Sequence, residues 1–122
     1  MRFTLDARSD VNLIRGYGAG VLRIGERTVE HSCIVSADTL VTDWGVTSVA
    51  QLSAEHLRAV WPLKPEVALL GTGARQLFPA RDVREAFSAH AVALETMDLG
   101  AACRTYNILV QEERRVVALL IL

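Results

Sequence analysis

Three unbroken apolar runs in the second half of the chain constrain its fold more than any other feature. The runs are Val67–Leu70, Val92–Leu94 and Val116–Leu122. An apolar run without polar alternation is typical of a buried strand, covered on both faces of its sheet. The segments between the runs have helical periodicity. Strands that alternate with helices predict a βαβαβ unit built on a mainly parallel or mixed sheet.

The first half of the chain has a different pattern, in which short strands alternate with turn residues. Val21–Ile24 and the alternating stretch Thr28–Val35 lie on either side of Gly25-Glu26. That pair fits a two-residue hairpin turn with glycine in its first position. Leu40–Val41 is predicted as a further short strand. This part of the chain is therefore expected to be β-rich and to contain hairpins.

Three helices are predicted from the spacing of apolar residues and from helix start and stop signals. Pro62 ends the first helix, and Asp98 caps the third. The predicted helices are Ser48 or Ser53 to Trp61, Pro79 to about Ser88, and Asp98 to about Gln111.

Taken together, these elements predict an α/β fold. We expect a single three-layer domain with a β-rich N-terminal part and a mixed central sheet. The length of 122 residues fits one domain. Residues 13–122 are predicted to form this domain, and residues 1–12 are predicted to pack loosely against it.

Composition excludes several classes of function. Hydrophobic residues make up 51% of the chain and the formal net charge is −1, with no basic stripe. This charge argues against nucleic-acid binding. The longest apolar run is too short for a transmembrane helix, and the N-terminus has no apolar signal region. We therefore expect a cytoplasmic protein. Cys33 and Cys103 form no CxxC pair or zinc-ligand spacing, so a reduced pair is the simpler interpretation.

Two stretches are candidates for a binding site. Gly71-Thr72-Gly73 follows one buried strand, and glycines there would let a ligand approach backbone N–H groups. The alternative is a tight turn that needs a positive φ. Near the start of the third helix, Gly100 keeps side-chain bulk low, and Arg104 could hold a carboxylate or phosphate.

The helix residues also have a structural interpretation. Arg104 could pair with an acidic neighbour, while Asn107 and Tyr106 could satisfy buried backbone groups. Catalysis by Cys103 would need a nearby base, and the available histidines are His31, His56 and His90. His56 is predicted on a core-facing helix stripe and His31 on a strand, so we do not expect cysteine catalysis. We expect no catalytic residue, no metal and no cofactor.

The segment Met97–Asn107, the stretch Leu69–Gly73 and the later Pro79 resemble a family catalogued as domain of unknown function four-nine-eight, or the Mth-type domain. The family includes mitochondrial complex I assembly factor three and the adipogenesis-associated Mth-domain protein. The resemblance extends from about Leu13 to Leu122. It implies a three-layer fold with a mixed sheet and no established catalytic activity. Leu99 stands where the family pattern leads us to expect a small hydroxyl residue.

Two functions follow as hypotheses. The first is a non-enzymatic interaction or assembly-factor-like domain with protein partners, present as a monomer or a homodimer. The second is a binder or enzyme for a small anionic metabolite. The pocket predicted for the second hypothesis comprises Gly71, Thr72, Gly73, Gly100, Arg104, Thr105 and Asn107.

Overall fold

A computed structural model describes residues 10–122 of the chain. The eight strands and two α-helices of this part are β1 (Ile14–Gly18), β2 (Val21–Ile24), β3 (Arg27–Val29), β4 (Cys33–Ser36), β5 (Leu40–Val41), β6 (Val67–Thr72), α1 (Arg81–Ala89), β7 (Ala93–Met97), α2 (Leu99–Gln111) and β8 (Val116–Ile121).

The central sheet has five strands in the order β5-β4-β8-β6-β7. β6 is parallel to both β7 and β8, whereas β8 is antiparallel to β4. The predicted mixed sheet is thus confirmed. β8 occupies the middle, and all six of its residues are buried. Its unbroken apolar sequence follows from this position, because both faces of the strand are covered.

A hydrophobic cluster covers each face of the central sheet, which gives the three predicted layers. On one face, α2 and the separate β1-β2-β3 sheet pack together, with Leu22 and Tyr106 fully buried between them. On the other face, α1 packs with the connection that precedes β6, and Phe87 and Leu57 are buried there. α2 contacts β6 and β8 of the central sheet and β1 of the smaller sheet.

The predicted helix from Ser48 or Ser53 to Trp61 is wrong, because this connection forms two short 3₁₀ helices, Ala54–Leu57 and Trp61–Leu63. The Ser48 hydroxyl accepts the Gln51 N–H, so a local turn competes with a continuous helix. Pro62 is unable to donate a backbone hydrogen bond in the second 3₁₀ helix. The apolar spacing nevertheless predicted burial, since Leu57 and Val60 are buried.

The predicted buried strand Val92–Leu94 begins at Ala93, and its expected coverage on both faces is wrong because alternate side chains of β7 are exposed. β7 also lies at the edge of the sheet. Ala93 and Glu95 are exposed. The apolar pattern of a sequence shows which side chains can be buried. It does not show whether other elements cover both faces of a strand such as β7, or whether another strand pairs with its outer edge. The same limit applies to any short apolar run.

The predicted loose segment falls largely on residues 1–9, which lie outside the described residues. Asn12, at the end of that segment, is bonded to the domain: its side-chain amide donates to the Ser36 carbonyl at 3.0 Å and to the Thr39 carbonyl at 3.3 Å. Val11 packs against the hydrophobic cluster around α2. The loose packing of residues 1–9 remains a prediction.

Candidate functional site

A cleft of about 650 Å³ lies where the β1–β2 turn, the end of β6 and the start of α2 meet. Three predicted site residues, Gly73, Gly100 and Arg104, line this cleft together. The other lining residues are Tyr17, Gly18, Ala19, Gly20, Ala74, Asp98, Leu99 and Leu122. Loops from both sheets therefore contribute to one cavity.

Gly100 allows Tyr17 and Arg104 to meet at the cleft. A Cβ atom at position 100 would lie 2.9 Å from Tyr17 Cε1 and 3.1 Å from Arg104 Nη1. The Arg104 guanidinium donates a hydrogen bond to the Tyr17 hydroxyl. No carboxylate among residues 10–122 forms an ion pair with Arg104, so the expected acidic neighbour is not found. The exposed guanidinium keeps further donors for an anion.

The Gly71-Thr72-Gly73 stretch has a different role at each position. Gly73 has a φ of +83°, which matches the tight-turn interpretation. The Thr72 hydroxyl donates to the Arg75 carbonyl at 2.7 Å and accepts the Leu77 N–H at 3.0 Å. Gly71 lies beneath α2. Gly71 and Thr72 therefore do not line the cleft; Gly71 packs against α2, and Thr72 holds the loop that follows β6.

Asn107 and Tyr106 satisfy backbone groups of the N-terminal segment, as the structural interpretation predicted. The Asn107 amide accepts the Ile14 N–H at 2.9 Å and donates to the Ile14 carbonyl at 2.8 Å. The Tyr106 hydroxyl donates to the Asn12 carbonyl at 2.8 Å. Neither Asn107 nor Thr105 lines the cleft, so these two predicted site residues do not share the cleft with Arg104.

Replacement of Asp98 by alanine is expected to lower the free energy of unfolding by about 1 kcal/mol. The Asp98 carboxylate accepts the Ala101 N–H at 2.9 Å and thereby caps α2. Asp98→Asn is the matched control, because asparagine caps a helix about as well as aspartate. Urea unfolding of the two variants measures the difference. Equal losses in both would show that charge at the cleft, and not the cap, determines the effect.

The two thiols are free, and both are buried. Burial raises the pKa of Cys33 to about 12, and the neighbouring Cys103 adds to this shift. Burial also raises the pKa of Cys103 to about 11, although Arg104 opposes the shift. Neutral thiols are weak nucleophiles. In residues 10–122, no group of three His, Cys, Asp or Glu side chains could hold a metal ion.

The raised thiol pKa values predict a stability that falls as the pH rises above about 9. An unfolded thiol ionises near pH 8.5, whereas Cys33 and Cys103 in the fold keep their protons until about pH 12 and 11. In this window the unfolded chain binds fewer protons, so the free energy of unfolding decreases with pH. Urea unfolding at pH 7.5 and 10 measures the decrease. The Cys33→Ala/Cys103→Ala variant should show a smaller decrease, and an equal one would contradict the prediction.

Tyr17 and Leu122 line the cleft but were not predicted from the sequence. The alternate glycines at positions 16, 18 and 20 fit a bend, a bulge or a close backbone approach, but their spacing does not reveal what approaches them. Tyr17 and Arg104 are 87 positions apart in the chain. A contact of this kind depends on how the small N-terminal sheet docks onto α2.

A second candidate surface lies at the open edge of the central sheet. Phe78, in the loop before α1, is 71% exposed, and its neighbour Leu77 is 40% exposed. Phe78 lines a groove of about 420 Å³ between β7 and α1. We call it the β7 groove; its other lining residues are Arg84, Phe87, Ser88, Val92, Leu94 and Thr96. Two adjacent exposed apolar side chains beside a groove make this surface a candidate interaction site.

The fold and the two surfaces define a small α/β domain whose central mixed sheet is covered on one face by a second sheet and a helix. A crystal structure from Bordetella parapertussis has the same fold, with a TM-score of 0.85 and 35% identity over 93% of this chain and 97% of that one. A solution structure from Bordetella pertussis, described as a Mth938-like domain, matches with a TM-score of 0.80 and 29% identity, covering 93% and 87% of the two chains.

The family model described as "Protein of unknown function (DUF498/DUF598)" matches residues 14–121, and the chain belongs to this family. The resemblance found in the sequence is thereby confirmed. The "13 kDa major membrane protein" of Francisella tularensis subsp. holarctica is 32% identical over 106 residues, which is 85% of this chain and 84% of that protein. No helix in residues 10–122 is long and apolar enough to span a membrane.

The chain is also similar to NADH dehydrogenase [ubiquinone] 1 alpha subcomplex assembly factor 3. The Danio rerio protein is 34% identical over 111 residues, which is 89% of this chain and 63% of the assembly factor. The chain covers 55% of the Mus musculus assembly factor. It thus spans little more than half the length of these relatives.

Proposed function

We propose that this chain is a non-enzymatic protein-interaction domain that assists the assembly of a multi-subunit complex. The observation that carries this proposal is the exposure of Phe78 beside Leu77 at the β7 groove. Burying a phenylalanine side chain contributes about 1.5–3 kcal/mol. A partner that covers Phe78 would recover this free energy.

The similarity to assembly factor 3 supports the choice of assembly over other interactions. Under this proposal the chain holds a partner, which needs a docking surface and no catalytic group. The chemistry of the thiols agrees with this, since burial raises the pKa of both Cys33 and Cys103 and weakens them as nucleophiles.

The proposal is tested by expressing the tagged full chain in its source organism, followed by mild cross-linking and size-exclusion chromatography. We expect the chain to elute in a complex much larger than its own mass of 13.4 kDa. Phe78→Ser should shift most of it to the size of the free chain. Ile108→Ser is the matched control, because Ile108 is a 56% exposed apolar residue on α2. Equal elution of the two variants would contradict the proposal.

The cleft supports a second candidate function, the binding of a small anionic metabolite. The specific observation is that Arg104 lies on the 650 Å³ cleft with Gly73 and Gly100 and has no acidic partner among residues 10–122. Its guanidinium could bind a carboxylate through paired hydrogen bonds. The largely apolar surface around it would hold the rest of the molecule.

Thermal-shift measurements with a panel of carboxylates and phosphates test this second function. We expect at least one compound to raise the melting temperature, and the rise should disappear in Arg104→Ala. Arg58→Ala is the control, since Arg58 is an exposed arginine paired with Glu55 and absent from the cleft. A rise that persists in Arg104→Ala would exclude Arg104 as the anion ligand.

A further inference from the structure

The backbone of β7 has hydrogen-bonding groups that face away from the sheet. The Ala93 N–H donates to the Glu66 carbonyl at 3.2 Å, on the β6 side. Alternate residues of a strand direct their backbone groups to opposite neighbours. Glu95 and Met97 therefore also face β6, while Leu94 and Thr96 direct their N–H and carbonyl groups to the outer edge.

Both ends of this outer edge are already covered. Val92 is two residues before Leu94, so its N–H also points to the outer edge. It donates to the Phe87 carbonyl at 3.0 Å. At the other end, the Gln76 side chain donates to the Thr96 carbonyl at 2.8 Å, as the N–H of a neighbouring strand would. Between these two ends, the Leu94 N–H and carbonyl and the Thr96 N–H have no hydrogen-bond partner among residues 10–122. They form a short site for one extended segment.

The two faces of such a segment would meet different surroundings. Leu94 and Thr96 line the β7 groove with Phe78, so side chains placed beside them would enter this groove. An apolar side chain there would contact Phe78, although Arg84 and Ser88 also line the groove. Glu95 is exposed on the opposite face of the strand. The intervening side chain of an added segment would lie beside this carboxylate, which favours a cation there.

Glu95 also disfavours a second copy of this chain as the occupant. Antiparallel self-pairing about Glu95 would place the two carboxylates directly opposite one another. Self-pairing about Leu94 would place them on the diagonal, about 7–8 Å apart. Both registers bring the two Glu95 carboxylates close together, which is unfavourable. A lysine or arginine on a different protein would instead be attracted to Glu95.

We propose that the edge of β7 binds an extended segment of a partner protein with the pattern apolar–basic–apolar, which adds a sixth strand to the central sheet. The two apolar side chains enter the β7 groove beside Leu94 and Thr96, and the basic side chain pairs with Glu95. This mode combines backbone hydrogen bonds with alternate side-chain pockets. The inference rests on the proposed function and specifies the chemistry of the partner.

The experiment is selection of octapeptides from a phage-displayed library on the purified full chain. We expect enrichment of apolar–Lys/Arg–apolar peptides, and selection on Glu95→Lys should enrich an acidic residue at the middle position. A chosen peptide should bind Thr96→Pro at least about tenfold more weakly by fluorescence anisotropy, because proline removes an outward N–H that the sheet does not use. Bound peptide should also slow hydrogen exchange at the Leu94 amide.

Three results would overturn the proposal: peptides without the basic residue, equal selection on Glu95→Lys, or unchanged binding to Thr96→Pro. Glu95→Lys keeps the test decisive if the proline variant does not fold, because residue 95 is exposed. A concentration-dependent dimer that is lost in Thr96→Pro would identify a second copy as the occupant and would also overturn the proposal. If Phe78→Ser disrupts the cellular complex but Glu95→Lys and Thr96→Pro do not, the proposed function stands and strand addition fails.

Discussion

Replacement of Asn107 by leucine is expected to lower the free energy of unfolding by about 3 kcal/mol. The Asn107 amide bonds both the N–H and the carbonyl of Ile14, a buried residue at the start of β1. Leucine would leave both groups without a partner, and each unsatisfied buried group costs about 1–3 kcal/mol. Urea unfolding followed by circular dichroism measures the loss.

Thr105→Ala is the matched control for this prediction. Thr105 is on the same helix and only partly buried, so its replacement is expected to change stability by no more than about 0.5 kcal/mol. Hydrogen exchange offers an independent readout, because the Ile14 amide should lose protection in Asn107→Leu. Similar stabilities of the two variants would show that β1 is held by packing alone.

Replacement of Gly71 by valine is expected to lower the free energy of unfolding by about 3 kcal/mol, because overpacking a filled core forces side chains and backbone to shift. A Cβ atom at position 71 would lie 2.9 Å from the Ala102 Cβ, 3.1 Å from Leu120 Cδ2 and 3.5 Å from the Leu99 Cα. Valine would therefore push α2 away from the central sheet. The denaturation midpoint in urea measures the effect.

Gly16→Val serves as the control for the Gly71 variant. At position 16 the nearest atoms to a Cβ belong to the Arg23 side chain at 3.9 Å, so we expect a change within about 1 kcal/mol. The contrast separates close packing from the general effect of adding a side chain to a glycine. A small loss in Gly71→Val would mean that α2 can move without weakening the core.

Local sequence signals predicted the elements that depend on neighbouring residues. The apolar run at β8 predicted a buried strand, and Asp98 predicted the start of α2. Both depend on the pattern of a few consecutive residues. The helix predicted in the connection before β6 was wrong. This connection contains two 3₁₀ helices, a turn at Ser48 and a proline at position 62.

Only part of the candidate site could be predicted in this way. Gly73, Gly100 and Arg104 were recognised as candidates and do line one cleft, but Tyr17 was missed. The polar character of Asn107 was visible, yet its partner, Ile14, lies 93 positions away in the chain. The β7 groove was also absent from the sequence analysis, since Phe78 on its own is an ordinary apolar residue in a loop.

By itself, the sequence determined the α/β class, the mixed sheet and the family, because strand patterns, helix caps and local motifs depend on residues close together in the chain. The tertiary structure decided which strand lies at the edge, which polar side chains are bonded internally and which surfaces stay open. Those outcomes depend on how the elements pack. The apolar runs at β7 and β8 both predicted buried strands, but β8 has neighbours on both sides and β7 on only one.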